Sequence, residues 1–137
     1  MKYKTDELLG ARLDQAVAKA CGYIYDKHLR DDFIVTTIDP SMPARPPELV
    51  SREVCRAVVD GHARSFCPSS EWSHGGPIME QEGISPERHK PDSMDAGDPL
   101  VSDGRWIWVT DTGCGPTMLS AAMREVVRRK FGDTVDL

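Results

Sequence analysis

Residues 116–131, PTMLSAAMREVVRRKF, constrain the fold more than any other stretch of the chain. Leu119, Ala122, Met123, Val126, Val127 and Phe131 recur at intervals of three and four, which gathers them on one face of a helix. Pro116 at the first helical position and Gly132 just past the end mark its limits. An apolar stripe of this length must be buried, so the rest of the chain has to supply what covers it. LLGARLDQAVAKACG offers a second stripe of the same kind in Leu9, Leu13, Ala16, Val17, Ala20 and Cys21. Arg12, Gln15 and Lys19 fall on its opposite face, and Gly22 sits where a left-handed cap belongs. A third helix is predicted over ELVSREVCRAVVDG, entered at Pro46-Pro47 and ended by Gly61, with Val50, Val54, Ala57 and Val58 as a narrow stripe.

Strands are predicted at Phe33–Ile38, closed by Asp39-Pro40, and over WIWVT from Trp106 to Thr110, where Trp106 and Trp108 share a face. Gly76-Pro77 resembles a helix start and Gly83 a stop, so PIMEQE reads as one or two turns. Two breaker-rich stretches, 40–46 and 85–104, lack periodic apolar residues and are expected to be mobile loops. The expected architecture is α+β, a single domain over residues 1–137. Three main helices and a short fourth would pack on a small sheet of two or three strands.

Charge narrows the function classes. Seventeen Lys and Arg against 22 Asp and Glu give a net charge of −5. Nonspecific nucleic-acid binding needs a basic surplus, which is absent globally. No run approaches the ~20 apolar residues that cross a bilayer. MKYKTDELLG is acidic where a signal peptide needs an apolar core, so a cytoplasmic location is expected. Cys21, Cys55, Cys67 and Cys114 are scattered without a C-x-x-C pair, which predicts four reduced, mostly buried thiols and neither metal nor cofactor.

CPSSEWSHGGPIMEQEGI, residues 67–84, holds the strongest candidate site. Backbone N–H groups at a helix start attract phosphate or carboxylate, and Trp72 and His74 would then hold the rest of a ligand beside Gly75 and Gly76. The plainer reading is turn chemistry, with Trp72 anchored in the core, and it is preferred here. That reading predicts a loss of about 3–5 kcal/mol for Trp72→Ala. GCGPT, with Gly113, Gly115 and Thr117, repeats the Gly-Pro pattern at the last helix. It lacks the Gly-Lys-Ser/Thr ending of a phosphate loop and reads as a strand-to-helix turn. Cys67 lies between His62 and His74, but no predicted helix start lowers its pKa. Arg124, Arg128 and Arg129 with Lys130 form a basic helix face, most simply a solvated one.

The block PSSEW-x-x-GGPIMEQEGI, followed by a tryptophan and GPTMLSAAMREVV-x-x-KFGD-x-V, resembles the NinX-like phage family of unknown function. LLGARLDQAVAKACG is similar to that family's N-terminal segment. The matching blocks cover 8–22, 67–84 and 105–136. Residues 24–66 are longer than the family pattern, and Leu9 stands where it often has a helix-capping threonine. The resemblance implies a small accessory protein of phage or prophage type and carries over no catalytic residue. The leading expectation is a non-enzymatic binding or interaction module without membrane contact, its partner unidentified and a protein one candidate. Its working surface would combine Trp72–Pro77 with Gly113–Thr117. The competing expectations are an enzyme acting on a small anionic or nucleotide-like substrate at those turns, and nucleic-acid contact through Arg124, Arg128 and Arg129.

Overall fold

The computed structural model describes residues 1–34, 41, 48–89 and 107–137, with backbone only at 31–34 and 48. The elements run β1 (Lys2–Lys4), a single 3-10 turn (Thr5–Glu7), α1 (Gly10–Ala20), β2 (Tyr25–Ile34), β3 (Glu48–Val59) and β4 (His62–Ser65). Then come α2 (Trp72–Glu82), β5 (Glu87–His89), β6 (Ile107–Val109), β7 (Cys114–Gly115), α3 (Met118–Phe131) and β8 (Thr134–Asp136). The α+β class holds, but the strands fall into three small antiparallel sheets rather than one: β1-β8, β2-β3-β4 and β5-β6-β7.

The organising element is α3. Its predicted stripe is buried from Leu119 to Val127, and Ser120, Ala121, Arg124 and Glu125 are buried as well. A helix covered on so many sides needs neighbours all round, and α1, α2, β6, β7 and β8 all contact it. Leu13, Ala16 and Val17 of α1 join Met123, Val126 and Val127 in one core with Cys55, Ala57 and Val59 of β3. The polar face predicted for α1 is less polar in practice, since Gln15 is buried, while Cys21 at its end is exposed. Thr5 ties the start of the chain to its end, its N–H bonding the Asp133 carbonyl and its hydroxyl the Gly132 carbonyl. The β1–β8 ladder, with Tyr3 opposite Val135, continues that closure.

The predicted helix at 48–61 is a strand. Cys55, Ala57 and Val59 alternate into the core, while Val58, in the predicted helical stripe, is 36% exposed. The four valines favour a pleated surface. The deciding signal is Asp60-Gly61, whose φ values of +52° and +80° make the two-residue turn that brings β4 back beside β3. The strand predicted from Phe33 begins earlier, at Tyr25, and pairs with β3 in one unbroken register from Tyr25↔Ala57 to Ile34↔Glu48. The positions predicted as strand at 35–38, Trp106, and most of both predicted mobile loops lie outside the described residues. Within the second of those loops, Glu87–His89 forms β5.

Candidate functional site

The stretch from Cys67 to Pro77 leads from the end of β4 into the first turns of α2 and is fixed by its own hydrogen bonds. Phe66 N–H extends the sheet to the Cys55 carbonyl at 2.8 Å, and the chain then turns over the Cys67 carbonyl, which accepts from Ser70 and Glu71. His74 returns Nδ1 to the Cys67 N–H at 3.0 Å, which puts the ring proton on Nε2. Its ring stacks on Phe66, centroids 6.1 Å apart, and Phe66 meets Tyr23 edge-on. Glu71 accepts from Arg30 at 3.2 Å. His74 is therefore a clamp on the turn rather than a side chain presented to solvent.

Helix α2 starts at Trp72, ahead of the predicted start, so Pro77 lies inside it. The His74 and Gly75 amides bond the Glu71 carbonyl and are not offered to an anion. Gly75 has a packing reason for lacking a side chain: a Cβ there would collide with the Pro68 carbonyl and stand 2.8 Å from Leu119 Cδ2. Gly76 is roomier, with only Trp72 Cε3 at 4.0 Å. The expected core anchor is overturned, because Trp72 is 56% exposed. A residue at the first position of a short helix can point outward while the next turn packs, and here Gly75 makes the packing contact.

Sequence reasoning missed Asp14. It is buried on α1, and its carboxylate accepts the Ser69 N–H at 2.8 Å, tying the turn to the first helix. Burial pushes its pKa up to about 6 against the lowering effect of the Ser69 bonds, with Glu71 adding to the rise. Burial also pushes the Cys55 thiol up to about 12 and raises Cys67, the latter with the charges of Asp14 and Glu71 behind it. Cys67 thus carries the opposite of the shift a nucleophile needs. Among the described residues no group of three His, Cys, Asp or Glu is placed to hold a metal ion.

The 113–117 turn is equally occupied. Thr110 N–H bonds the Gly113 carbonyl at 2.8 Å, and Gly113 N–H returns to Thr110 Oγ1 at 3.1 Å. A Cβ on Gly115 would come within 2.6 Å of Ser120 Oγ and 2.8 Å of the Ala121 amide, so β7 lies flat on the first turn of α3. Thr117 caps α3, in a reciprocal pair with Ser120 at 3.1 Å in each direction, so Pro116 lies before the helix rather than at its first position. The two Gly-Pro segments are neighbours, since Gly75 meets Leu119 in that same first turn, but they meet by packing. A cleft of about 390 Å³ lies where the C-terminal ends of α1, α2 and α3 converge, between Cys21, Ile78, Glu82 and Lys130. None of the predicted turn residues lines it.

The arginines of α3 are bonded within the fold, although only Arg124 is buried, and Arg129 and Lys130 are exposed. Arg124 is 3% exposed and donates to the carbonyls of Leu8 at 3.0 Å and Cys114 at 2.7 Å. Arg128 pairs with Asp6 and Asp133. Arg129 donates to the Glu82 carbonyl at 2.7 Å and sits 3.4 Å from the buried Glu125 carboxylate, which also accepts from Thr112. Surface cations tied this closely to carboxylates have little charge left to attract phosphate. Of the described helices, none is long and apolar enough to cross a membrane.

No curated protein matches the chain. A family match spans residues 4–130, including the middle stretch that the three sequence blocks leave out, and its description is Bacteriophage P22, NinX. The chain belongs to that phage NinX family.

Proposed function

We propose that this phage-family protein is a non-enzymatic accessory factor that holds a protein partner on the Trp72 end of α2 and works in the host cytoplasm. The observation that carries the reading is the 56% exposure of Trp72, a large aromatic on a helix whose base is immobilised beneath it. His74 bound to Cys67, Gly75 pressed on Leu119, and Arg30 bound to Glu71 hold that base. A rigid indole offers wide contact area with little entropy to lose, which is why tryptophan leads among interface hot spots. Ser73 and Pro77 beside it are also exposed.

Against the enzyme reading stand the occupied amides of both Gly-Pro turns and the raised thiol pKa of Cys67. Against nucleic-acid contact stands the pairing of Arg124, Arg128 and Arg129 within the fold. The test is capture of partners from phage-infected or prophage-carrying cells with the wild-type chain and with Trp72→Ala. A specific protein lost only from the Trp72→Ala capture is the expected result. Recovery of the same proteins in equal amounts by both would sink the reading.

A further inference from the structure

Among the described residues, strand β2 is an edge, with no strand paired to its outer side along the whole run from Tyr25 to Ile34. Edge strands of folded proteins are usually shortened, bulged, interrupted by proline or guarded by charged side chains, because an open row of N–H and C=O groups invites another chain. Of these devices β2 carries only charges, and because they are of both signs they repel a mismatched strand but fit a complementary one. Here the register with β3 is unbroken, with no bulge and no proline. The strand carries Leu29 near its middle, 68% exposed.

The hydrogen-bond parity of the strand is fixed at its start. Val58 N–H bonds the Ile24 carbonyl at 2.9 Å, so even-numbered residues direct their backbone groups to β3. Odd-numbered positions, 25, 27, 29, 31 and 33, therefore direct theirs to the open edge. A two-fold axis between two antiparallel copies must set outward-facing residues against outward-facing residues, which leaves two registers that keep nearly all of the strand paired. One centres on Leu29 and places it against the second copy's Leu29. Lys27 then falls opposite position 31, an aspartate, on both sides of the axis. The other centres on Arg30, which Glu71 already pairs, sets Leu29 against the aspartate and leaves Lys27 without one. Charge and apolar matching both select the first. In that register Asp26 comes opposite position 32, also an aspartate, but Asp26 already accepts from Arg56 Nε at 3.0 Å, which takes up its charge.

We propose that a second copy of this chain pairs with β2 antiparallel across its open edge, centred on Leu29, so that two three-stranded sheets become one continuous sheet of the dimer. The partner is the same protein because the edge is complementary to itself, with Lys27 and Asp31 placed symmetrically about an exposed leucine. Sedimentation equilibrium of the whole chain tests this. A dimer is expected for the wild type. Lys27→Asp sets like charges opposite each other twice per dimer and should raise the dissociation constant about tenfold or more. Adding Asp31→Lys to it should restore wild-type association. Leu29→Pro removes an N–H that faces the open edge and none that bonds β3, and is expected to give a monomer of unchanged circular dichroism. If Leu29→Pro fails to fold, the charge pair alone decides. A wild-type chain that remains monomeric at concentrations on the order of 1 mM, or a dimer that Lys27→Asp leaves unchanged, overturns the proposal.

Discussion

Asp14 is the residue where sequence pattern and folded environment conflict most. Its pKa of about 6 in the folded chain exceeds the ordinary carboxylate value of 3.8, so the folded state binds its proton more tightly than the unfolded state. Below the unfolded value both states are protonated and no penalty applies. Between about 4 and 6 the unfolded chain ionises first, and stability falls as pH rises. Above 6 the full cost of burying the charge is present, about 2–3 kcal/mol from a shift of this size. Asp14→Asn keeps an acceptor for the Ser69 N–H and removes the charge. Denaturant midpoints should show the variant more stable than wild type at pH 7 and nearly equal to it at pH 4. Parallel profiles would show that the Asp14 carboxylate is not desolvated. Trp72→Ala belongs at the same scale: with the ring more than half in solvent, it should cost under about 1 kcal/mol, against the larger loss expected of a core anchor. Neither residue was legible from spacing. Asp14 sits within a helix whose apolar pattern is clear, but what meets it is the turn at Ser69, 55 positions away. Trp72 looked like a loop anchor because the Gly-Pro pair placed the helix start too late.

At the level of elements, local signals succeeded where they were redundant and failed where they competed. Helix α3 had periodicity, a following glycine and β-branched residues confined to its buried side, and only its start shifted, from Pro116 to the Thr117 cap. Strand β3 had valines spaced ambiguously enough to suit a helix, and Pro46-Pro47 encouraged that reading. The Asp60-Gly61 turn resolves the ambiguity, because both of its residues take positive φ and so specify a hairpin. Helix α1 exposes a different gap. Leu9 occupies its N-cap with extended φ and ψ of −144° and 158°, makes no side-chain cap bond and is 54% exposed. Leu9→Thr supplies an oxygen for an unpaired first-turn amide at little packing cost. Thermal or denaturant unfolding should show a gain of about 1 kcal/mol. A neutral or negative result would mean that Leu9 makes a contact its exposure does not reveal.

Across the whole molecule, α3 is the hub and Arg124 its most consequential polar side chain. A basic run near a helix C-terminus reads from sequence as a solvated or phosphate-binding face, because periodicity shows which side is apolar but not whether the polar side is covered. In the fold, β7 and the segment before α1 close over it, and the guanidinium reaches the Leu8 and Cys114 carbonyls at 3.0 and 2.7 Å. One side chain thereby joins the segment before α1, the β5-β6-β7 sheet and α3. Burial lowers its pKa, with the charges of Cys114 and Asp6 opposing that shift, yet an arginine keeps its proton at any physiological pH. Arg124→Met fills similar volume but leaves both carbonyls without their donor, and a buried carbonyl left unsatisfied costs about 1–3 kcal/mol. The expected loss is therefore about 2–4 kcal/mol in a denaturant melt. Lys130→Ala, at an exposed position of the same helix, should cost no more than about 1 kcal/mol. If the two variants were equally mild, Arg124 would be a surface cation in solution and nucleic-acid contact through α3 would regain its footing. A large loss at Arg124 alone would make that cation a structural tie through which the sheet, α3 and the segment before α1 lose stability together.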